Sequence, residues 1–184
     1  MTILFLVLTK VVAGQMAAEK NTFSRYMFDQ VLITGETNVN DFHLEYRENE
    51  FCNVSGNLES GSSKIQLEIP ADQVDADSQV MLNDFLKLIN AEKYPNITIG
   101  IDRNEIEFSA VPESGEKLIR ISMNGISKQF YCSTLSESCF GNQWCLTGQL
   151  QVRLTDFNIE PPHKFLGLVK VQNEIFINFR ILFS

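Results

Sequence analysis

The chain has 184 residues, of which 44% are hydrophobic, and it carries a net charge of -8. This length is typical of one domain with its own core, and the hydrophobic content excludes a disordered chain. Binding to a phosphate backbone needs a concentrated Lys and Arg surface, so the acidic balance argues against nucleic acid and anionic membrane surfaces as partners.

The N-terminus, MTILFLVLTKVVAGQ, contains a short apolar run from Ile3 to Leu8. The run is too short to span a bilayer, so we expect no stable membrane insertion. Small residues around Ala13 are typical of a signal-peptide cleavage site, although Lys10 interrupts the apolar stretch. We therefore predict a signal peptide over residues 1–14, with an ordinary first strand as the alternative.

Most of the chain after this segment alternates apolar and polar residues with a period of two, which predicts half-buried β-strands. The alternating apolar positions, in chain order, are Val31 and Ile33; Phe42, Leu44 and Tyr46; Ile65, Leu67 and Ile69; Ile97, Ile99 and Ile101; Ile119, Ile121 and Met123; Leu146, Leu150, Val152 and Leu154; and Ile175, Ile177, Phe179, Ile181 and Phe183. Turn signals such as ESGSS and PESG separate these runs.

The segment DSQVMLNDFLKLINAEKYP breaks the alternation. Met81, Phe85, Leu88 and Ile89 recur at helical spacing, with Asp77 or Ser78 as N-cap candidates. One helix among many strands predicts a mainly β protein, a single antiparallel barrel of about eight strands with a helical insertion around residues 78–91. A barrel of this size is either filled by its own side chains or holds one ligand, which would be apolar here.

Four cysteines, an even number, are compatible with an oxidising compartment. Their spacing does not fit a zinc site. Cys132 and Cys145 flank a predicted hairpin and are candidates to pair across it; four small buried thiols are the alternative. The four residues are Cys52, Cys132, Cys139 and Cys145.

Two candidate sites for other chemistry contain histidine. A hydrolase would use His163 as a base oriented by Asp156 or Glu160, but the chain has no Gly-x-Ser-x-Gly elbow, and the prolines before His163 favour a turn. A metal site would combine His43, Glu45 and His163, but His43 and Glu45 face away from Phe42 and Leu44 and are therefore expected on the outside. We predict no catalysis, no metal and no cofactor.

Four segments resemble, in this order, the YceI-like family: VLITGETNVNDFHLEY, IPADQVDADSQVMLNDFLKLINAEKYPNITIGI, MNGISKQF and LTDFNIEPPHKFLGLVKVQNEIFINFRI. The most specific pieces are the Thr37-Asn38-Val39 turn, Asp84-Phe85, Lys93-Tyr94-Pro95 and Thr155-Asp156-Phe157. The resemblance extends from about residue 25 to the end, so we predict one YceI-like lipid-binding domain over residues 25–184.

The resemblance implies a lipocalin-like antiparallel barrel that binds a long polyisoprenoid or a related lipid in its interior. It also implies export to the bacterial periplasm, or secretion, and a protein that is not an enzyme. Transport or storage of the lipid would be its role. A homodimer is compatible with the sequence.

If an apolar ligand is bound, we expect inward-facing side chains to line its pocket, and we expect a polar headgroup to need residues at the barrel mouth. The predicted pocket residues are Phe42, Leu44, Leu67, Ile69, Ile99, Ile121, Val152, Ile177 and Phe179. The headgroup candidates are Arg47, Arg103, Arg120 and Arg180. The alternatives are a filled barrel that acts as a structural or interaction module and, less favoured, a hydrolase that uses His163 and Asp156.

Overall fold

The computed structural model describes residues 23–48, 50, 52–53, 64–106, 112–139, 141, 143–164 and 169–184. The predicted signal peptide, residues 1–14, lies outside this part. The described residues form strands, one α-helix and three short 3-10 helices. The strands are β1 (Arg25–Thr37), β2 (Asp41–Tyr46), β3 (Cys52–Asn53), β4 (Lys64–Pro70), β5 (Asp75–Ala76), β6 (Asn96–Asp102), β7 (Glu113–Met123), β8 (Ile126–Ser138), β9 (Trp144–Arg153), β10 (His163–Lys164) and β11 (Val169–Phe183). The helices are α1 (Gln79–Leu88) and the 3-10 turns Ala71–Gln73, Arg103–Glu105 and Leu154–Phe157.

All strand pairs in the described residues are antiparallel, and nine strands follow one path, β4-β6-β7-β8-β9-β11-β1-β2-β5. The two-residue strands β3 and β10 pair with β1 and β11 beside this path. The sheet curls into a half-barrel with a single helix. The predicted mainly β antiparallel fold is confirmed.

The helix begins and ends close to the predicted positions 78–91. Ser78 is its N-cap, and the Ser78 hydroxyl accepts a hydrogen bond from the Met81 N–H at 3.2 Å. The helix ends at Leu88, with Ile89 as the C-cap whose N–H still donates to the Phe85 carbonyl oxygen at 3.0 Å, and the following turn leads to Pro95, before which helical backbone is disfavoured.

The inner face of the half-barrel is built from the alternating apolar positions that the sequence predicts. On β11, for example, Ile175, Ile177, Phe179, Ile181 and Phe183 are all buried, while the residues between them are half-buried or exposed. This follows from strand geometry, because successive side chains point to opposite faces. Burial of these aliphatic and aromatic side chains is the main stabilising contribution of the fold.

One end of the half-barrel, which we call the capped end, is closed by helical segments. The turn between β7 and β8 lies there, and the ring of Tyr94 covers Gly125 in this turn. In the same turn, the Asn124 side-chain amide donates to the carbonyl oxygen of Phe157 at 3.0 Å. Phe157 and Ile89, the C-cap residue that follows α1, are buried. The capped end is therefore apolar and packed.

The opposite end, which we call the disulfide end, contains the starts of β1 and β7 and the hairpin between β8 and β9. A disulfide joins Cys139 to Cys145 in this hairpin. The Arg103 guanidinium donates to the Phe23 carbonyl oxygen at 2.9 Å and lies 4.7 Å from the centre of the Phe23 ring. These contacts attach the segment after β6 to the start of β1.

The two edges of the nine-strand path meet at a seam between β4 and the β1–β2 side of the barrel. At the capped end, the chain itself joins these edges, because β4 continues through Ala71–Gln73 into β5. Nearer the disulfide end, the Tyr26 hydroxyl donates to the Gln66 carbonyl oxygen at 2.9 Å and accepts from the Gln66 N–H at 3.3 Å. An edge strand otherwise leaves such groups without a protein partner. Tyr26 therefore fastens the seam through one side chain.

Replacing Tyr26 with phenylalanine is expected to lower the free energy of unfolding by about 1–3 kcal/mol, because two half-buried backbone groups of Gln66 lose their partner. Denaturant titration measures the change. Tyr131→Phe is the matched control, since the Tyr131 side chain is 76% exposed and should lose almost nothing. Equal unfolding midpoints for the two variants would contradict the role given to the Tyr26 hydroxyl.

Candidate functional site

The inner face of the half-barrel is the candidate site, and it contains the predicted pocket residues. Eight of the nine belong to one continuous cluster of buried side chains. The ninth, Phe42, is half-buried and packs against that cluster, with its ring over Gly35 on the neighbouring strand. The eight buried residues are Leu44, Leu67, Ile69, Ile99, Ile121, Val152, Ile177 and Phe179. Their contact with a ligand stays a prediction.

The middle of the half-barrel is filled by its own side chains. Ile65 on β4, Ile119 on β7, Leu146 on β9 and Ile181 on β11 each have 0% of their surface exposed. A side chain that lined a tunnel wide enough for water would keep accessible surface. These residues therefore leave no space for water beside them, and a guest would have to displace them.

A row of small residues crosses the inner face near the disulfide end. In the strand register, Gly115 on β7 lies opposite Thr134 on β8, and Thr134 lies opposite Gly148 on β9. Phe179 on β11 is the next residue in this row, and its ring covers Gly148 so closely that a methyl group at position 148 would overlap it. The absence of a side chain at Gly148 thus makes room for Phe179.

A short polar column runs along the inner side of β8. Cys132, Thr134 and Ser136 alternate inward, and Thr134 and Ser136 are the polar residues within the described core, with 6% and 5% of their surface exposed. The Thr134 hydroxyl donates to the Gly115 carbonyl oxygen at 3.2 Å, and the Ser136 hydroxyl donates to the Glu113 carbonyl oxygen at 3.3 Å. Burial raises the pKa of the Cys132 thiol to about 11, so it is uncharged at neutral pH.

Sequence reasoning missed this column. Cys132, Thr134 and Ser136 follow the period of two, but they are not large apolar residues and so gave no hydrophobic signal. Their spacing from Phe130 could have identified them, because Phe130 and every second residue after it lie on the same face of the strand. Phe130 packs on the core, and each second residue after it points inward.

The four candidate headgroup arginines occupy different places. Arg103 lies at the disulfide end, where it holds Phe23. Arg47 pairs with Glu45 at 2.6 Å, and Arg180 pairs with Asp29 on the outer face. Arg120 is exposed and faces outward from β7. The structure therefore does not bring the four together.

The histidine candidates are likewise separate from the inner face. As predicted, His43 is on the outside, with 52% of its side chain exposed, 3.9 Å from Asp77. Glu45 accepts a hydrogen bond from Gln30 at 2.6 Å. The backbone of His163 pairs with Lys170, but its side chain lies outside the described part. Among the residues that the structure describes, no three His, Cys, Asp or Glu side chains are close enough together to hold a metal ion.

Asp156 shapes the backbone, as the sequence indicates. Its carboxylate accepts hydrogen bonds from the Arg153 N–H at 3.1 Å and from the Arg153 guanidinium at 3.3 Å, and it pairs with Lys128 at 3.3 Å. Burial acts to raise the pKa of Asp156, but the hydrogen bonds and charges of Arg153 and Lys128 outweigh it and lower the pKa below its usual value. Asp156 therefore caps the 3-10 turn that places Phe157.

Replacing Asp156 with asparagine is expected to lower the free energy of unfolding by about 1 kcal/mol at pH 7. A pKa lowered by folding means that the charged form stabilises the folded state. This contribution is present above the pKa of the unfolded chain, about 4, and is lost as the pH falls through the lower folded pKa. Unfolding measured between pH 7 and pH 2 should show the wild type and the variant converging in acid. Asp72→Asn, at an exposed aspartate, is the charge control; a gap that is constant with pH would contradict the role of the charge.

The predicted pairing of Cys132 with Cys145 is wrong, and so is the alternative of four free thiols. Cys145 pairs with Cys139, and Cys132 is a buried free thiol. The strand register gives the reason, because Cys145 lies opposite Glu137. Cys132 is five residues further along β8, about 17 Å away, which is beyond the reach of a disulfide. The side chain of Cys52 lies outside the described residues.

The surface outside the barrel carries shallow grooves of a different character. One of these grooves has a volume of about 630 Å³ and lies across the outer side of β8, β9, β11 and β1. Its side chains include Gln30, Gln149, Asn178 and Arg180, which point away from the core.

In the described part of the chain, no helix combines the length and apolar composition that crossing a bilayer requires.

No protein-family model matches the chain, and no curated protein sequence matches it. Solved structures do match its fold. A polyisoprenoid binding domain from Saccharophagus degradans, implicated in plant cell wall breakdown, superposes with a TM-score of 0.66 and 8% sequence identity, over 89% of this chain and 99% of that one. BcnA of Burkholderia cenocepacia gives a TM-score of 0.59 and 14% identity, over 84% of this chain and 96% of that one.

A third similar structure is the YceI protein of Campylobacter jejuni, with a TM-score of 0.53 and 16% identity, over 76% of this chain and 90% of that one. These proteins share a curled antiparallel sheet with the chain along most of their length. The chain therefore has the fold of a lipocalin-like barrel. More narrowly, that fold is the YceI-like fold, so the resemblance seen in the sequence is confirmed at the level of the fold.

Proposed function

We propose that this chain is a YceI-like binding protein that holds one long apolar molecule, a polyisoprenoid or a related lipid, against the inner face of its half-barrel. The observation that carries the proposal is the continuous apolar inner face, formed by eight of the predicted pocket residues. The polyisoprenoid binding domain of similar fold gives the ligand class.

Transfer energies support an apolar guest. Each isoprene unit removed from water contributes roughly 4 kcal/mol, at about 0.8 kcal/mol per carbon. Ordering of the guest and displacement of the packed interior oppose this gain. Because several units are buried at once, the balance favours binding without any charged partner inside the barrel.

Native mass spectrometry and a displacement titration test the proposal. Purified protein, freed of lipid by extraction, should bind phytane, a branched C20 hydrocarbon, in a one-to-one complex. Ile177→Phe adds volume on the inner face and should weaken binding at least tenfold, whereas Asn178→Phe adds the same ring on the outer face and should not. A protein that ignores phytane and longer isoprenoids would refute the proposal.

The packed interior favours a second function, that of a structural or interaction module with a filled barrel. It rests on the fully buried Ile65, Ile119, Leu146 and Ile181. The same titration separates the two functions, because a permanently filled barrel binds neither hydrocarbon nor alcohol. Neither of these two proposed functions involves catalysis.

We further propose that the protein is exported to the periplasm or secreted, and that it stores or carries its lipid there. The Cys139–Cys145 disulfide supports this location, since such bonds persist in oxidising compartments. Cell fractionation with mass measurement of the mature chain tests it: we expect loss of about the first 14 residues, in agreement with the cleavage context at Ala13. An uncleaved protein in the cytosol would refute export.

A further inference from the structure

The polar column on β8 stands out against an interior that is otherwise apolar. Thr134 and Ser136 are more than nine-tenths buried, and they lie two residues apart on the inner side of one strand. Buried hydroxyls weaken an apolar core unless they are hydrogen-bonded. In the same rows, Gly148 and Phe179 lie beside Thr134, and Leu146 and Ile181 lie beside Ser136, so the neighbouring side chains on β9 and β11 offer these two hydroxyls no polar partner.

The column has a definite place along the barrel. Thr134 and Ser136 lie in the last third of β8, close to the disulfide hairpin and far from Phe157 at the capped end. An apolar chain that enters the half-barrel therefore meets only apolar side chains at the capped end. Near the disulfide end it meets the hydroxyl oxygens of Thr134 and Ser136, whereas the Tyr26 hydroxyl, also near this end, is bound to both backbone groups of Gln66.

We infer that Thr134 and Ser136 bind the hydroxyl group of a lipid alcohol and fix its direction, with the polar end toward the disulfide end. This inference rests on the proposed function. The hydroxyl hydrogens of Thr134 and Ser136 are already donated to the carbonyl oxygens of Gly115 and Glu113. Their oxygens keep lone pairs, and these can accept only from a donor, which an alcohol provides and a hydrocarbon or ester does not.

The neighbouring charges agree with an uncharged end group. In the register of β7 and β8, Lys117 lies opposite Cys132 and Glu113 lies opposite Ser136. The charged residue paired with Ser136 is thus a glutamate, which disfavours an anionic end group there, and the lysine is paired with the far end of the column. The thiol between β7 and β9 is itself uncharged because burial holds its proton.

Gly115 provides room beside the column. It lies opposite Thr134 and is exposed, and a methyl group placed on it would contact nothing within 4 Å. A hydroxyl group at this position can therefore reach Thr134 without displacing a side chain of β7.

A pair of matched ligands tests the inference. Phytol and phytane share a branched C20 skeleton and differ mainly in the terminal hydroxyl. Wild-type protein should bind phytol about tenfold more tightly than phytane, the effect of one buried hydrogen bond. Thr134→Val keeps the side-chain shape and should reduce this preference below about twofold. Ser133→Ala, on the outer side of the same strand, should leave it unchanged.

Circular dichroism and thermal unfolding establish that each variant folds. If Thr134→Val does not fold, Ser136→Ala tests the same preference for phytol. Equal binding of phytol and phytane by wild-type protein would overturn this inference and leave the proposed function intact. A preference for phytol over phytane that is unchanged in both Thr134→Val and Ser136→Ala would also overturn the inference. Failure to bind either molecule would overturn the proposed function and the inference with it.

Discussion

Replacing Phe179 with alanine is expected to lower the free energy of unfolding by about 3–5 kcal/mol. The ring is 4% exposed, lies 6.1 Å from the ring of Phe28, and covers the backbone at Gly148. Its removal leaves a cavity in the row that already contains Gly115, Thr134 and Gly148, whose small side chains cannot refill the space. Denaturant titration measures the loss.

Phe176→Ala is the matched control, because Phe176 stands three residues earlier on the same strand but on the outer face, half-buried. It should lose less than half as much. A bound apolar molecule should raise the stability of Phe179→Ala more than that of the wild type, because the cavity left by the ring admits the molecule without displacement of packed side chains and the tighter binding stabilises the folded state more. A loss below about 1 kcal/mol would contradict the packing role of the ring.

Phe157→Ala is expected to have the second largest effect, also about 3–5 kcal/mol. Phe157 is fully buried at the capped end, 5.9 Å from the ring of Phe130. The Thr155-Asp156-Phe157 signature thus has a structural reason: Asp156 caps the turn and Phe157 closes the barrel. Differential scanning calorimetry would record the loss as a lower melting temperature.

Two control variants show whether the loss at position 157 comes from the missing ring. Phe157→Leu keeps most of the buried volume and should lose about 1 kcal/mol. Thr155→Ala, beside it at an exposed site, removes the one hydrogen bond that the Thr155 hydroxyl accepts from the Asn173 side-chain amide and should lose a similar, small amount. If the alanine and leucine variants at position 157 were equally stable, the ring would not be filling the capped end.

The sequence predicts this fold well where the physical signal is local. Alternation along one strand places Ile97, Ile99 and Ile101 on the inner face, because side-chain direction in a strand depends only on the period of two. The helix around residues 78–91 is equally local, since Ser78 and Pro95 limit it from either side. Family resemblance then supplied the lipocalin-like barrel.

Contacts between distant strands could not be predicted in this way. The pairing of Cys145 with Cys139 depends on a strand register that cysteine spacing does not encode. The bonds between Tyr26 and Gln66 join residues 40 positions apart. The hydrogen bonds of the Thr134 and Ser136 hydroxyls likewise depend on the position of β8 between β7 and β9.

The Tyr26 contact has a consequence for the size of the barrel. A barrel closed by a complete ladder has its radius set by the number and stagger of its strands. Among the described residues, no ladder joins β4 to β1, so side chains connect the two edges here, among them the Tyr26 hydroxyl with its two hydrogen bonds and Arg103 with its contact to Phe23. Opening the seam here would break side-chain contacts but no strand pair. If the chain binds the long apolar guest proposed above, this seam is where a packed interior can make room for it at the lowest cost.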